Sequence, residues 1–286
     1  MKKTQIINIG KSYGLNSKLI ELILLKTTGL SRNQLFLIDD INDKYLNYLK
    51  ESFQSVKKGV PIEYVIEKVS FYSLDFFVNK NVLIPRNDTE VMVSKAIDYI
   101  RNLKNNYTLI DVGTGSSCIP ISIINNINNF PDYCYALDIS ALALEVARFN
   151  INKFKLNNII KANESNLLSY FLKNNSDFLE VGSLIITANL PYIKDNDFAN
   201  MDSETIKYEP HLALYGGKET GFEIYEELFF QIIELKNKYN ISNIVVFIEI
   251  GFDQKFVSMN FFKNKKLDFK YFKDNSGIER CVMICL

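Results

Sequence analysis

Apolar and polar positions follow two different textures along this 286-residue chain. Over residues 1 to about 60, apolar side chains recur at helical spacing. Asn16 and Ser17 stand where a cap belongs, ahead of Leu19, Ile20, Leu22, Ile23 and Leu24, and Gly29 falls just past the end of that run. Ser31 heads a shorter segment containing Leu35, Phe36 and Ile38. Asn42 opens a third, in which Tyr45, Leu49, Phe53 and Val56 share one helical face until Gly59 and Pro61 stop it. From Ile62 to Ile84 aromatic and β-branched residues take over, among them Tyr64, Val65, Phe71, Tyr72, Phe76, Phe77, Val78 and Val82. That texture predicts a hairpin or an extended connector.

From about Asn87 the pattern alternates. Strand-like runs at 107–112, 133–138, 159–163, 183–188 and 243–249 are separated mostly by helix-like stretches, at about 89–102, 118–126, 140–153 and 221–238. Such alternation predicts a parallel sheet wrapped by helices. Two final strands, 269–273 and 279–286, are joined only by Asp274 to Ile278, and so short a polar turn links antiparallel neighbours. The expected architecture is therefore α/β and Rossmann-like, with one antiparallel strand at the C-terminal end of a mostly parallel sheet. Three parts are expected: a helical segment over 1–60, a hairpin or linker over 61–86, and the α/β domain over 87–286.

Composition narrows the class. The chain is 47% hydrophobic and 23% charged, with 33 basic and 33 acidic residues, so its formal net charge is zero. A chain built to neutralise many phosphates would be basic, so stable nucleic-acid binding is not expected. Met1-Lys2-Lys3 is followed by Thr4, Gln5, Asn8 and Gly10 rather than a continuous apolar segment, and no stretch approaches the ~18 consecutive apolar residues of a membrane span. Cys118, Cys134, Cys281 and Cys285 lack metal-ligand spacing and read as reduced, buried small hydrophobes. The single histidine, His211, reads as an ordinary loop residue and argues against histidine-dependent sites. The expectation is a soluble cytoplasmic enzyme, without a metal, that works without histidine.

Two segments carry candidate chemistry. Asn189-Leu190-Pro191-Tyr192 follows the apolar run Leu184-Ile185-Ile186. A strand ending this way presents one side-chain amide and one stiffened carbonyl, a pair able to hold a planar –NH2 group by both hydrogens; the bland reading is a polar turn closing a buried strand. Asp111-Val112-Gly113-Thr114-Gly115-Ser116-Ser117 lies between a strand and a helix, where glycines permit a tight turn and close ligand approach. The dinucleotide fingerprint wants a third glycine where Cys118 stands, so NAD is poorly supported. Asp138 closes the next strand, where a carboxylate can accept both ribose hydroxyls of a nucleoside. A nucleoside with a charged tail, such as S-adenosyl-L-methionine, suits the loop; a strand–helix turn with no ligand is the alternative.

Taken in order, the segments Gly59 to Tyr64, Val82 to Glu90, Asp111 to Ser116, Ala136 to Ser140 and Ala188 to Ile193 resemble the glutamine-N5 methyltransferases of peptide chain release factors, the PrmC/HemK family. Glu209-Pro210, Ala213-Leu214, Gly216-Gly217, Gly221, Glu249-Ile250-Gly251 and Gln254 continue the resemblance, which covers most of the chain. It implies a class I S-adenosylmethionine-dependent methyltransferase, with a seven-stranded sheet preceded by a small helical domain that recognises the partner. The implied reaction moves a methyl group to the side-chain nitrogen of the glutamine in a release factor's Gly-Gly-Gln motif. Asn189, Leu190, Pro191 and Tyr192 would carry the chemistry. Asp111, Gly113, Thr114, Gly115, Asp138, Asn166 and Asn189 would bind cofactor, and Pro85, Arg86, Glu209 and Pro210 would shape the substrate channel.

Some of these positions keep a second reading. Asn87 and Glu90 also have the spacing of a helix cap and its reciprocal partner, and Asn166 could cap a helix instead of touching adenine. The chain departs from the family at Leu190, where the first proline of Asn-Pro-Pro-Tyr is missing, and at Ser117, where glycine is usual. Leu190 gains an N–H that must find a partner, and Ser117 could narrow the cofactor loop if its backbone needs positive φ. Two other functions compete. One is a ribosomal-RNA adenine methyltransferase, because Asn-Leu-Pro-Tyr is close to that family's motif. The other is a non-catalytic release-factor-binding protein.

Overall fold

The computed structural model describes residues 1–173, 182–200 and 206–286, and these form two units. The first comprises residues 1–68 with 206–208. It contains α1 (Lys3–Ser12), α2 (Ser17–Thr28), α3 (Arg32–Leu37), α4 (Leu46–Lys57) and α5 (Ile62–Val65). Local chemistry sets the boundaries: Asn16 Oδ1 accepts from Leu19 N at 3.0 Å, and Ser31 and Gln34 close a reciprocal capping box. Asn42 caps a short 3-10 turn, Asp43–Tyr45, that feeds α4. Ile6, Ile20, Ile23, Leu24, Leu49 and Phe53 pack into one small core. Ile62–Val65 is helical although its residue types predict extended chain. The Pro61 carbonyl accepts from both Tyr64 N and Val65 N, so the proline that ends one helix starts the next.

The second unit opens on a hairpin of β1 (Val69–Phe71) and β2 (Leu74–Phe76), then continues through α6 (Glu90–Arg101), β3 (Tyr107–Val112), α7 (Cys118–Ile124), β4 (Tyr133–Asp138) and α8 (Ala141–Lys153). Next come β5 (Ile160–Glu164), α9 (Ser169–Lys173), β6 (Ser183–Ala188), β7 (Ile193–Lys194), α10 (Asp195–Asn200), β8 (Tyr215–Gly217) and α11 (Glu223–Tyr239). The chain ends with β9 (Ile244–Glu249), α12 (Lys255–Asn264), β10 (Asp268–Lys273) and β11 (Glu279–Cys285). The main sheet has seven strands in the order β10-β11-β9-β6-β3-β4-β5. Only β11 runs against the rest, slotted between β9 and β10. The small parallel pair β7–β8 had no counterpart in the sequence pattern, nor did α12, whose buried residues are only Ser258 and Phe262.

Burial on both faces explains why the central strands read as continuous apolar runs: every residue of β3, β6 and β9 is buried. Ile186, Val246 and Ile248 point to one layer with Phe171, Phe229 and Phe262. Ile185, Val245 and Phe247 point to the other with Val93, Ile97 and Ile121. Strand order reverses beside β3, because β4 and β5 extend one way and β6 and β9 the other. Such a reversal leaves a crevice beyond the C-terminal strand ends, and both candidate segments emerge there.

Asn150 on α8 ties the edges of that crevice together. Its side chain is fully buried; Oδ1 accepts from Phe77 N at 2.8 Å, while Nδ2 donates to Phe77 O at 2.9 Å and Ser116 O at 3.0 Å. Asn150→Ala would orphan three backbone groups, a loss of about 2–4 kcal/mol. The expected outcome is a lower urea midpoint with an unchanged m-value.

Candidate active site

A cavity of about 450 Å³ occupies the crevice, a size suited to a nucleoside-sized ligand. One wall is the loop after β3. Thr114 N donates to Leu137 O at 2.8 Å, and Gly115 N donates to Asp138 Oδ2 at 2.9 Å, so the loop is bolted to the end of β4. Asp138 Oδ1 accepts from Ser140 N at 2.9 Å. Its carboxylate faces the cavity, where each oxygen keeps lone-pair capacity, and burial raises its pKa. Gly113 favours glycine because its φ is +70°, and a Cβ there would lie 2.7 Å from Leu190 Cδ2, so that the leucine tip would have to turn away. With Val112, Ile119, Ile139, Ala143 and Leu167 also on the wall, the lining offers an apolar slot for a base beside a carboxylate for a ribose.

Asp111 is placed differently from the other predicted cofactor residues. It is fully buried, off the cavity wall, and accepts from Thr187 Oγ1 at 2.7 Å. Burial pushes its pKa up to about 7. Ser117 does sit at positive φ, 60°, but its side chain is buried, points away from the cavity and lies 3.1 Å from Thr114 Oγ1. It therefore does not narrow the loop. The hydroxyl pair contributes about as much as the left-handed backbone costs, each about 1 kcal/mol.

The opposite wall is the end of β6. Asn189, Leu190 and Pro191 line the cavity, while Tyr192 stands behind them, its hydroxyl pKa raised to about 12 by burial. The N–H gained by having leucine at 190 is met inside the protein: Leu190 N donates to the Tyr225 hydroxyl at 2.9 Å. That hydroxyl in turn donates to the Glu249 carbonyl, with Ala188 O at 3.3 Å. Asn189 Nδ2 donates to Thr89 Oγ1 at 3.1 Å, and Thr89 Oγ1 donates to Glu249 Oε2 at 2.6 Å. Gly216 of β8 crosses the tetrapeptide so closely that a Cβ would meet Tyr192 Cα at 2.5 Å and Pro191 O at 2.6 Å.

Of the predicted channel residues, Pro85, Arg86 and Pro210 line the cavity and Glu209 does not. Glu209 is a brace: its side chain is inaccessible, it accepts from Ile84 N at 3.0 Å, and it forms an ion pair with Arg86. The capping reading of Asn87 and Glu90 is corrected. Glu90 Oε1 accepts from Tyr72 N at 2.7 Å, tying α6 to the hairpin turn instead of to its own first turn. Asn166 lines the cavity, and Ser165 is the residue that receives Tyr170 N at 3.0 Å, so the cap belongs to Ser165. His211 stacks on Tyr215 outside the lining. Thr89 and Glu249 stand in recognisable motifs, yet nothing local marks them as partners of Asn189; Tyr225 carried no sequence signal.

This architecture is that of class I S-adenosylmethionine-dependent methyltransferases. The hMettl16 catalytic domain in complex with MAT2A 3'UTR hairpin 1 is similar at a TM-score of 0.54, with 12% identity, over 93% of this chain and 90% of that one. The N-terminal domain of human METTL16 in complex with SAH is similar at 0.51, with 15% identity, over 93% of both chains. Sequence relatives narrow the class. The release factor glutamine methyltransferase of Dictyoglomus turgidum is 33% identical over 92% of this chain and 89% of its own length. That of Bacillus subtilis is 32% identical over 92% of this chain and 88% of its own. The chain belongs to the release factor glutamine methyltransferase family. No family model matches it.

Leu190 and Tyr225 should be energetically coupled. Tyr225→Phe leaves a buried N–H unpaired and should cost about 1–3 kcal/mol. Adding Leu190→Pro removes that N–H, so the double variant should be more stable than the sum of the single effects by about 1 kcal/mol or more in a denaturation cycle. Strict additivity would show that the contact carries no energy.

Proposed function

We propose that this protein transfers a methyl group from S-adenosyl-L-methionine to the side-chain nitrogen of the glutamine in the Gly-Gly-Gln motif of a peptide chain release factor, in the cytoplasm. The observation that carries the reading is the juxtaposition of a nucleoside-sized cavity with the Asn189-Leu190-Pro191 turn that lines it. Bound there, the cofactor supplies an electrophilic methyl group on a sulfonium. Asp138 would hold the ribose, Gly113, Thr114 and Gly115 the tail, and Asn166 the adenine edge. Asp111 lies buried at the end of β3, tied to Thr187 of β6.

The remaining work is orientation. An amide nitrogen is a poor nucleophile because its lone pair is shared with its carbonyl. Asn189 Oδ1 accepts one of its hydrogens and the Leu190 carbonyl the other, which turns the lone pair toward the methyl group. The same two acceptors hold the N–H groups more strongly as they become acidic in the transition state. No strong base is needed to begin, because transfer can precede proton loss. Pro191 stiffens the Leu190 peptide, and Tyr192 backs it. Pro85, Arg86 and Pro210 line the substrate's path, with Glu209 fixing Arg86.

The helical N-terminal unit serves as the partner-recognition module, since a tripeptide alone offers little surface for specificity. Phe36 and Leu37 on α3, 83% and 78% exposed, support that role. Free Gly-Gly-Gln peptides should therefore be poor substrates. Labelled methyl from S-adenosylmethionine should enter a purified release factor and not a variant whose Gly-Gly-Gln glutamine is alanine. Asn189→Ala should lower the rate by about 10²–10³-fold with cofactor binding retained. Absence of label with cofactor bound would move the search to ribosomal RNA.

A further inference from the structure

Thr89 and Glu249 lie 100 and 60 residues from Asn189, on the segment before α6 and at the end of β9, yet all three meet at the cavity wall, where Asn189 and Thr89 line the cavity and Glu249 stands behind them. Thr89 is 2% exposed and Glu249 3% exposed. A threonine hydroxyl has one hydrogen. The 2.6 Å contact with Glu249 Oε2 uses it when the carboxylate is ionised, because an ionised carboxylate can only accept. The Thr89 oxygen is then limited to accepting, and its partner at 3.1 Å is the Asn189 nitrogen. That contact holds the –NH2 end of Asn189 on Thr89, which leaves its oxygen as the end free to meet a substrate.

We propose that Glu249 and Thr89 form a positioning relay that fixes which end of the Asn189 amide meets the substrate. The inference rests on the glutamine-methylation reading above and adds two residues to it. Glu249 lies off the cavity wall and acts on Asn189 through Thr89. They matter because the two ends of an asparagine amide have nearly the same shape and opposite hydrogen-bonding sense: a flipped Asn189 would offer donors to a substrate –NH2 and repel it. Protonation of Glu249 removes the constraint. The carboxyl can then donate to Thr89, the threonine hydrogen is free to turn to Asn189, and the flipped amide becomes compatible with the relay.

The charges around Glu249 set where this happens. Asp88 faces it from the segment before α6, Arg280 and Cys281 from β11, Tyr192 from the turn after β6 and Tyr225 from α11. Burial raises its pKa to about 7; the hydrogen bond from Thr89 and the charge of Arg280 oppose that rise. The orienting form is the ionised one, so methyl transfer should be fully supported above that value and fall as pH drops through it.

Single-turnover methyl transfer to a release factor, measured from pH 6 to 8.5, tests the relay, with cofactor affinity by calorimetry as the check on folding. The wild-type rate should fall on the acid side, approaching tenfold per pH unit. Glu249→Gln keeps an acceptor oxygen but cannot titrate, so its profile should lose that acid limb. Thr89→Val should transfer about 10–100-fold more slowly at pH 8 with unchanged cofactor affinity, and Thr89→Ser should restore the rate to within a few-fold. An acid limb that persists in Glu249→Gln, or a Thr89→Val rate equal to wild type, would overturn the relay while leaving the methylation reading intact. Absence of transfer by the wild type would instead overturn that reading.

Discussion

The Tyr225 hydroxyl is the contact on which the site depends. At the end of β6 the chain must leave the sheet, turn across the mouth of a cavity and keep two acceptors facing outward. A leucine at 190 introduces a donor into that turn, and an unmet buried N–H would pull the peptide out of position. Tyr225 accepts that donor and anchors itself on the Glu249 carbonyl, so a residue of α11 joins the ends of two neighbouring strands. Where the family motif avoids the extra donor by using proline, this chain keeps it and answers it with a phenol. The leucine side chain is used as well, since it fills the space that glycine leaves at 113.

The cofactor side follows the same economy of partners. Asp138 holds the loop by Gly115 N and the start of α8 by Ser140 N, and still faces the cavity. Asn150 closes the far side by gripping Ser116 and Phe77 together. Asn150 is a buried, satisfied polar group, while Asp138 keeps acceptor capacity toward the cavity. Together they hold the loop over the sheet before any ligand arrives, which is the form of preorganisation that orientation-based catalysis needs.

Much of this was legible in the sequence for identifiable reasons. The central strands of the main sheet are read from apolar runs because both of their faces are buried, and the antiparallel β11 from the shortness of its turn. The helix α12 was not, because it buries so little. Residues lining the cavity were visible where a motif forces them, as at Gly113, Asp138 and Asn189. The supporting contacts were invisible for a physical reason: Tyr225, Asn150 and Glu249 act through partners 24 to 160 residues away, and no local pattern encodes such a pairing. Spacing also misled where two uses of one side chain compete. Glu90 has the position of a capping partner, but the hairpin turn at Tyr72 offers it a partly buried N–H, and that contact wins.

The central claim is that Asn189 and Leu190 hold one planar amide by its two hydrogens beside the cofactor. A crystal structure of the protein with S-adenosylhomocysteine and a release factor's Gly-Gly-Gln domain tests it most directly. The account predicts the glutamine nitrogen within about 2.7–3.2 Å of both Asn189 Oδ1 and the Leu190 carbonyl oxygen. A glutamine held by other groups, or an Asn189 that turns its nitrogen toward the substrate, would contradict it.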